Sequence, residues 1–382
     1  MRQDFISGNL AVIALIVAGF IIYGSLYPFA FHAMPPGAWR TLITSWDKRP
    51  ERGDLIANIL LYMPLGYFGL LSIRGTGRPR HLLLVVLAGL VLSVSMELLQ
   101  YYDSGRDTEA TDVYTNVAGT AIGASLAQGL GDLWSKLPRR RPGDSAALLL
   151  LAAWVGYNLF PFVPVIDLHK YWDAVKPLLH SRLDPYLLFA HVAVWFAAAL
   201  LIEAVAPRRR SDILFAALIA VLIGGKVFVV GGGLTPAEIG GAGLAFVLYA
   251  ILKDRPRERL WLAVILLAGA VIAGRLEPFH FVGRTGSFGW IPFLSFMGGS
   301  IGVDTLSFLE KAFRYGTLIW LLERAGWRLP HATVSVAAVL LATSIAEIFL
   351  PGRSAEITDA VMALLCGAVI ALVRTPARPA PV

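Results

Sequence analysis

The chain has 382 residues, 57% of them hydrophobic and only 15% charged, with a mean hydropathy of +0.66. Soluble globules carry near ~25% charged residues, so the composition excludes one and predicts an all-α, polytopic integral membrane protein. The net charge of +7 does not point to nucleic acid, because the basic residues sit in short segments between apolar runs, where topology accounts for them.

The first run, Arg2 to Phe29, is long, carries one Arg offset by Asp4, and has no small-x-small cleavage site after it. It reads as a retained first helix rather than a signal peptide. Further runs of span length, ~20 residues each, begin near residues 54, 82, 112, 146, 185, 212, 236, 260, 305, 331 and 357, which predicts twelve spans. Lys and Arg concentrate in the segments 74–80, 136–141, 208–210, 253–259 and 324–328. The positive-inside rule makes these segments cytoplasmic, with both termini. Arg106, Arg275 and Arg353 then count among the outer-segment charges, and Arg259 among the inner ones. Pro35–Trp46 and His169–His180 read as short amphipathic helices on the outer surface. Lys226, Lys311 and Arg314 lie within spans near their outer ends, where snorkelling to the headgroups is the default expectation and pairing with Glu97, Glu347, Glu238 or Glu310 the alternative.

The sequence repeats. GSLYPFAF at Gly24–Phe31 recurs as GRLEPFHF at Gly274–Phe281, an offset of 250 residues that Gly66/Gly316 and Glu97/Glu347 share. After a loop shorter by three residues, the Gly-Arg-x-x-Glu-x-Thr-Asp run ending at Asp112 recurs ending at Asp359. Four successive helices thus keep one register. A middle copy begins with NLFPFVP at Asn158–Pro164, which brings Lys226 near the position of Glu97 and Glu238 near that of Asp112. The expected organisation is three tandem four-helix units, 1–140, 141–255 and 256–376, followed by a disordered tail, 377–382.

Polar residues in the first unit carry the candidate chemistry. Glu97 and Gln100 are three apart on a helix and share a face. Asp112 opens the fourth helix, where a carboxylate caps free amides or holds a ligand. Asn116, one turn on, begins a stripe with Gly119 and Gly123 that suits close helix packing with an interhelical hydrogen bond. Arg106 and Arg353 lie in short loops between acids; each closes its turn by a salt bridge or grips a phosphate or carboxylate with its planar fork. In the second helix Pro64 removes a backbone donor, and the freed carbonyl above it, with Asp54 and Asn58 four apart, forms a packed kink or a pocket wall.

The set Asp54-x3-Asn58-x5-Pro64-Leu65-Gly66, Glu97-x2-Gln100, Arg106, Asp112, Asn116, Gly119 and Gly123 resembles the VanZ-like family over about residues 20–130. That resemblance implies a bacterial envelope membrane protein of the group linked to teicoplanin resistance. The third unit departs from the pattern, with Leu350, Ala363 and Cys366 at the positions of Gln100, Asn116 and Gly119.

No phosphate-loop, nucleophile-elbow or zinc-ligand motif is present, and no cofactor is implied. Three functions stay open at this level: binding of a membrane lipid or lipid-linked cell-wall headgroup in an outward-facing cavity; an intramembrane enzyme acting on such a headgroup; and a transporter of parallel repeats. The ligand candidates are Asp54, Asn58, Glu97, Gln100, Arg106, Asp112, Asn116, Glu347, Arg353 and Asp359.

Overall fold

The computed structural model describes residues 2–26, 29–34, 36–45, 52–73, 79–103, 108–136, 144–160, 168–206, 210–229, 233–283, 286–297 and 301–373. These residues are all-helical, and they fall into two compact units, Met1–Arg139 and Arg140–Val382. The expected tail, 377–382, lies outside the described residues.

The first unit contains α1 (Arg2–Leu26), α2 (Ala38–Thr44), α3 (Arg52–Ser72), α4 (Pro79–Gln100) and α5 (Ala110–Lys136). Its closest packing joins α3 to α5, and glycines make it possible. A Cβ added at Gly66 would strike the Thr120 carbonyl, one at Gly119 the Ile59 carbonyl, and one at Gly123 the Met63 carbonyl. Backbone therefore meets backbone along the stripe read from the sequence, the arrangement by which apolar helices gain dispersion contacts without a hydrophobic drive. Pro64 is accommodated inside a continuous α3. Below it Leu70, Val85, Ala124 and Ala127 form an apolar cluster. The short α2 packs on α4 and α5, and Ser45 just after it accepts the Ala110 N–H at 2.9 Å, fixing where α5 starts.

The second unit runs α6 (Asp144–Leu159), α7 (Leu168–Val175), α8 (Pro177–His180), α9 (Pro185–Val205), α10 (Ser211–Phe228), α11 (Pro236–Ile251), α12 (Pro256–Leu276), α13 (Leu294–Met297), α14 (Ile301–Arg324), α15 (Leu329–Ala346) and α16 (Thr358–Val373). Helix α9 is its axis. Asp184 caps it, accepting the N–H groups of Tyr186 at 2.8 Å and Leu187 at 3.1 Å, with Pro185 preset for the first turn. Its Ala193, Trp195, Phe196 and Ala197 are fully enclosed, and it touches α6, α10, α11 and α12. Helix α6 packs on α14 as α9 packs on α12. Trp154 joins these layers, edge-on to Trp195 and stacked on Phe313.

Among the described residues, five helices are long and apolar enough by length and composition to cross a membrane: Pro79–Gln100, Pro185–Val205, Ser211–Phe228, Pro256–Leu276 and Leu329–Phe349. Five shorter apolar helices accompany them. Helices α5 and α14 are long enough but more polar. The first is rich in Thr, Ser, Asn and Gly, and the second carries Glu310, Lys311 and Arg314.

Residues 29 and 32 after α1 share backbone features with residues 279 and 282 after α12. Phe29 and Phe279 both adopt left-handed φ, 63° and 60°, which non-glycine residues rarely do. Their N–H groups donate to Leu26 at 2.8 Å and Leu276 at 2.7 Å. Three residues later, the His32 N–H donates to Tyr102 at 2.9 Å and the Val282 N–H to Phe349 at 3.0 Å.

Candidate functional site

In the first unit Glu97 closes α4 and is 2% exposed. Its Oε2 accepts the Glu109 N–H at 2.9 Å and its carbonyl accepts the Thr108 hydroxyl at 3.1 Å, so it pins the start of the next helix. Gln100 donates from Nε2 to the Ser25 carbonyl at 2.8 Å, joining α4 to the end of α1. Asn116 donates from Nδ2 to Ser93 Oγ at 2.9 Å, the interhelical bond between α5 and α4 that its position suggested. Asp112 stands in the first turn of α5, half-buried, and Asn58 is half-buried on α3. The side chain of Asp54 and all of Arg106 lie outside the described residues.

Glu347 and Asp359 in the second unit meet on a residue that the sequence did not single out. Arg275, read as an outer-loop charge, is in fact in the last turn of α12 and 9% exposed. Its guanidinium pairs with Glu347 at 2.9 Å and with Asp359, and it also donates to the Thr343 hydroxyl at 2.7 Å and the Ser344 hydroxyl at 2.6 Å. Lys311 adds a second cation, 2.8 Å from Asp359. This is a buried, charge-compensated lock across α12, α14, α15 and α16. Arg353 does not bridge the acids on either side of it. It donates from Nε to the Glu277 carbonyl and from Nη2 to the Gly274 carbonyl, both at 2.9 Å, which ties the loop after α15 to the end of α12.

Three further cations are paired with acids rather than extended to the surface. Lys226 reaches Glu238 at 2.5 Å, Arg314 reaches Glu310 at 2.6 Å, and Arg259, read as an inner-loop charge, is buried against Glu203 at 2.6 Å. Pairing wins over snorkelling here because each cation has a carboxylate within reach, and an ion at membrane depth is costly until it is compensated. The Lys226–Glu238 pair suits its helix ends as well. Lys226 is in the last turn of α10 and Glu238 in the first turn of α11, each complementing the helix dipole. Thr235 caps α11 by accepting the Glu238 N–H at 3.2 Å.

Both pairs face one partly enclosed cavity of about 250 Å³. Its lining comes from α6, α9, α10, α11 and α14, and besides the four charged residues it includes Tyr157, Asn158, Tyr186, Leu187 and His191. Asn158 donates to the Trp154 carbonyl at 2.8 Å, and Leu187, 42% exposed, marks an apolar edge. None of these residues was in the sequence-derived site. The signals available were Lys226 and Glu238 near the expected register positions of Glu97 and Asp112, and the i,i+4 spacing of Glu310 and Arg314 on α14; the contributions of α6 and α9 are tertiary and leave no spacing to read. Among the described residues, no group of three His, Cys, Asp or Glu side chains is placed to hold a metal ion.

A family model described as VanZ/LLP1 matches residues 10–131. The match includes Asn58, Glu97, Gln100, Asp112 and Asn116 and none of the cavity residues. No curated protein and no solved structure matches the chain. Over residues 10–131, within the first compact unit, the chain is therefore similar to the VanZ/LLP1 family.

Proposed function

We propose that this is a multi-pass protein of the bacterial cytoplasmic membrane that binds the polar headgroup of a lipid or lipid-linked cell-wall component in the cavity of its second unit. The observation that carries the reading is the convergence of two ion pairs, Lys226–Glu238 and Glu310–Arg314, on one partly open space of about 250 Å³. Ion pairs kept only for stability are commonly replaceable by apolar packing, whereas ionisable groups around an intramembrane cavity mark a ligand path. The volume is below the ~300–1,000 Å³ of sites for drug-sized ligands, and so fits a headgroup.

The same reading has twelve spans in three four-helix units with both termini cytoplasmic. It is supported by the matched backbones at Phe29 and Phe279, and by the shared packing of second helix on fourth in α3/α5, α9/α11 and α14/α16. A contribution to glycopeptide resistance follows from the VanZ resemblance, and teicoplanin susceptibility with and without the gene reads it.

A second reading puts the headgroup in the first unit, around Asp54, Asn58, Arg106, Asp112 and Asn116. It is favoured by the buried Gln100 Oε1 and Asn116 Oδ1, which have no hydrogen-bond partner among the described residues. The two are separated by mass spectrometry of lipid that co-purifies in mild detergent. Neutral double variants Lys226→Met/Glu238→Gln and Glu310→Gln/Arg314→Met remove whole pairs and strand no buried charge. Loss of a stoichiometric polar lipid from both supports the cavity; undiminished retention in both rejects it, and loss in Asn116→Ala instead supports the first unit.

A further inference from the structure

The charge inventory of the cavity restricts what it holds. Taking His191 as neutral, the lining presents two cations, Lys226 and Arg314, and two anions, Glu238 and Glu310. The pairs come from different places: one joins α10 to α11, and the other lies one turn apart on α14. Each is already compensated, so a ligand of one sign would displace a partner and leave an unmatched charge in a low-dielectric site, which is unfavourable. A ligand of zero net charge with both signs avoids this, because its anion takes up the freed cations while its amine takes up the freed carboxylates.

Resting on the cavity reading above, we infer that the ligand is zwitterionic, with a phosphate or carboxylate and a protonated amine a few atoms apart. Arg314 offers a planar fork for the anionic end, Lys226 a point charge beside it, and Glu238 and Glu310 accept from the ammonium. Tyr157 and Tyr186 add hydroxyls, and Leu187 provides an apolar edge where an acyl chain would leave. Two sources offer this chemistry, a phosphoethanolamine-type lipid headgroup and a free soluble zwitterion.

The test uses the full chain in detergent, with thermal unfolding and tryptophan emission as readouts, since Trp154 and Trp195 line the cavity. The probes are soluble phosphoethanolamine, inorganic phosphate, ethanolamine, and mixed micelles of phosphatidylethanolamine or phosphatidylglycerol. The expected result is binding at least about tenfold tighter for phosphoethanolamine than for either half, and a preference for phosphatidylethanolamine over phosphatidylglycerol. Both effects should vanish in Glu310→Gln/Arg314→Met, whose own cooperative thermal transition reports that the fold is intact, and persist in Gly129→Ala, which lies outside the cavity. Binding of the soluble probe without the lipid keeps the inference and names the free zwitterion as source. Equal or tighter binding of phosphatidylglycerol at the cavity overturns the zwitterion while leaving a headgroup site; no probe binding to folded protein overturns both.

Discussion

Lys226 Nζ lies 2.5 Å from Glu238 Oε1, and the contact joins the end of α10 to the start of α11 beside a space that Glu310 and Arg314 also face. The junction between α15 and α16 is closed differently. There Glu347 and Asp359 are both acidic, and Arg275 from α12 supplies the positive charge. One junction opens on a cavity; the other is filled by its own arginine.

Arg275→Met should destabilise the second unit by ~3–5 kcal/mol, because it leaves two buried carboxylates with only Lys311 to compensate them. Chemical unfolding of the detergent-solubilised chain measures this. The triple variant Arg275→Met/Glu347→Gln/Asp359→Asn removes the stranded charges and should recover most of the loss; if it is as unstable as the single variant, the lock is held by packing rather than charge.

Gly119→Ala and Gly123→Ala should loosen the first unit, since the new methyl meets an opposing backbone carbonyl that cannot move without parting α3 from α5. A cost of ~1–3 kcal/mol each is expected for such overpacking. Gly129→Ala is the control: nothing lies within 4 Å of its added methyl, and alanine should gain up to ~1 kcal/mol in helix propensity. Limited proteolysis, scoring cleavage within residues 1–139 against the rest of the chain, separates the three.

Asn116→Ala breaks the bond to Ser93 between α5 and α4. Interhelical hydrogen bonds in membranes are worth ~0.6–2 kcal/mol, so a small loss of stability is expected, and Ser93→Ala should match it. In the double variant the two losses should not add. Additive losses would mean that each side chain acts through something else.

Asp184→Ala removes the cap that accepts two N–H groups at the start of α9, for an expected cost of ~0.5–2 kcal/mol. Because α9 lines the cavity through Tyr186, Leu187 and His191, hydrogen exchange in its first turn should rise. Unchanged protection there would show that packing alone holds the helix end.

Much of the scaffold was legible in the sequence because membrane helices are written in long apolar runs and their ends in caps. Pro64 within α3, Glu97 at the close of α4, Asp112 and Asp359 in first turns, and the glycine stripe against α3 are all local features. The charges were harder. Arg275 and Arg259 sit within a turn of a helix end, where a sequence cannot tell loop from buried helix, and each is drawn in by acids on other helices, Glu347 with Asp359 and Glu203. Lys226 and Lys311 read as snorkelling for the same reason: a cation near a helix end has that default, and the fold brings Glu238 and Asp359 to them, whereas Glu310 already stands one turn from Arg314 on α14. The cavity draws on five helices spread over residues 154–314, and so has no signature in spacing.

Photolabelling with a phosphatidylethanolamine whose headgroup carries a diazirine tests the central claim most directly, followed by mapping of the labelled peptides in membranes. Labels should concentrate on the cavity-lining stretches 154–158, 186–195 and 310–314, and should fall when Lys226→Met/Glu238→Gln and Glu310→Gln/Arg314→Met are combined. Labels confined to residues 97–116, or spread evenly over lipid-facing surfaces and indifferent to those substitutions, would contradict a headgroup site in the second unit.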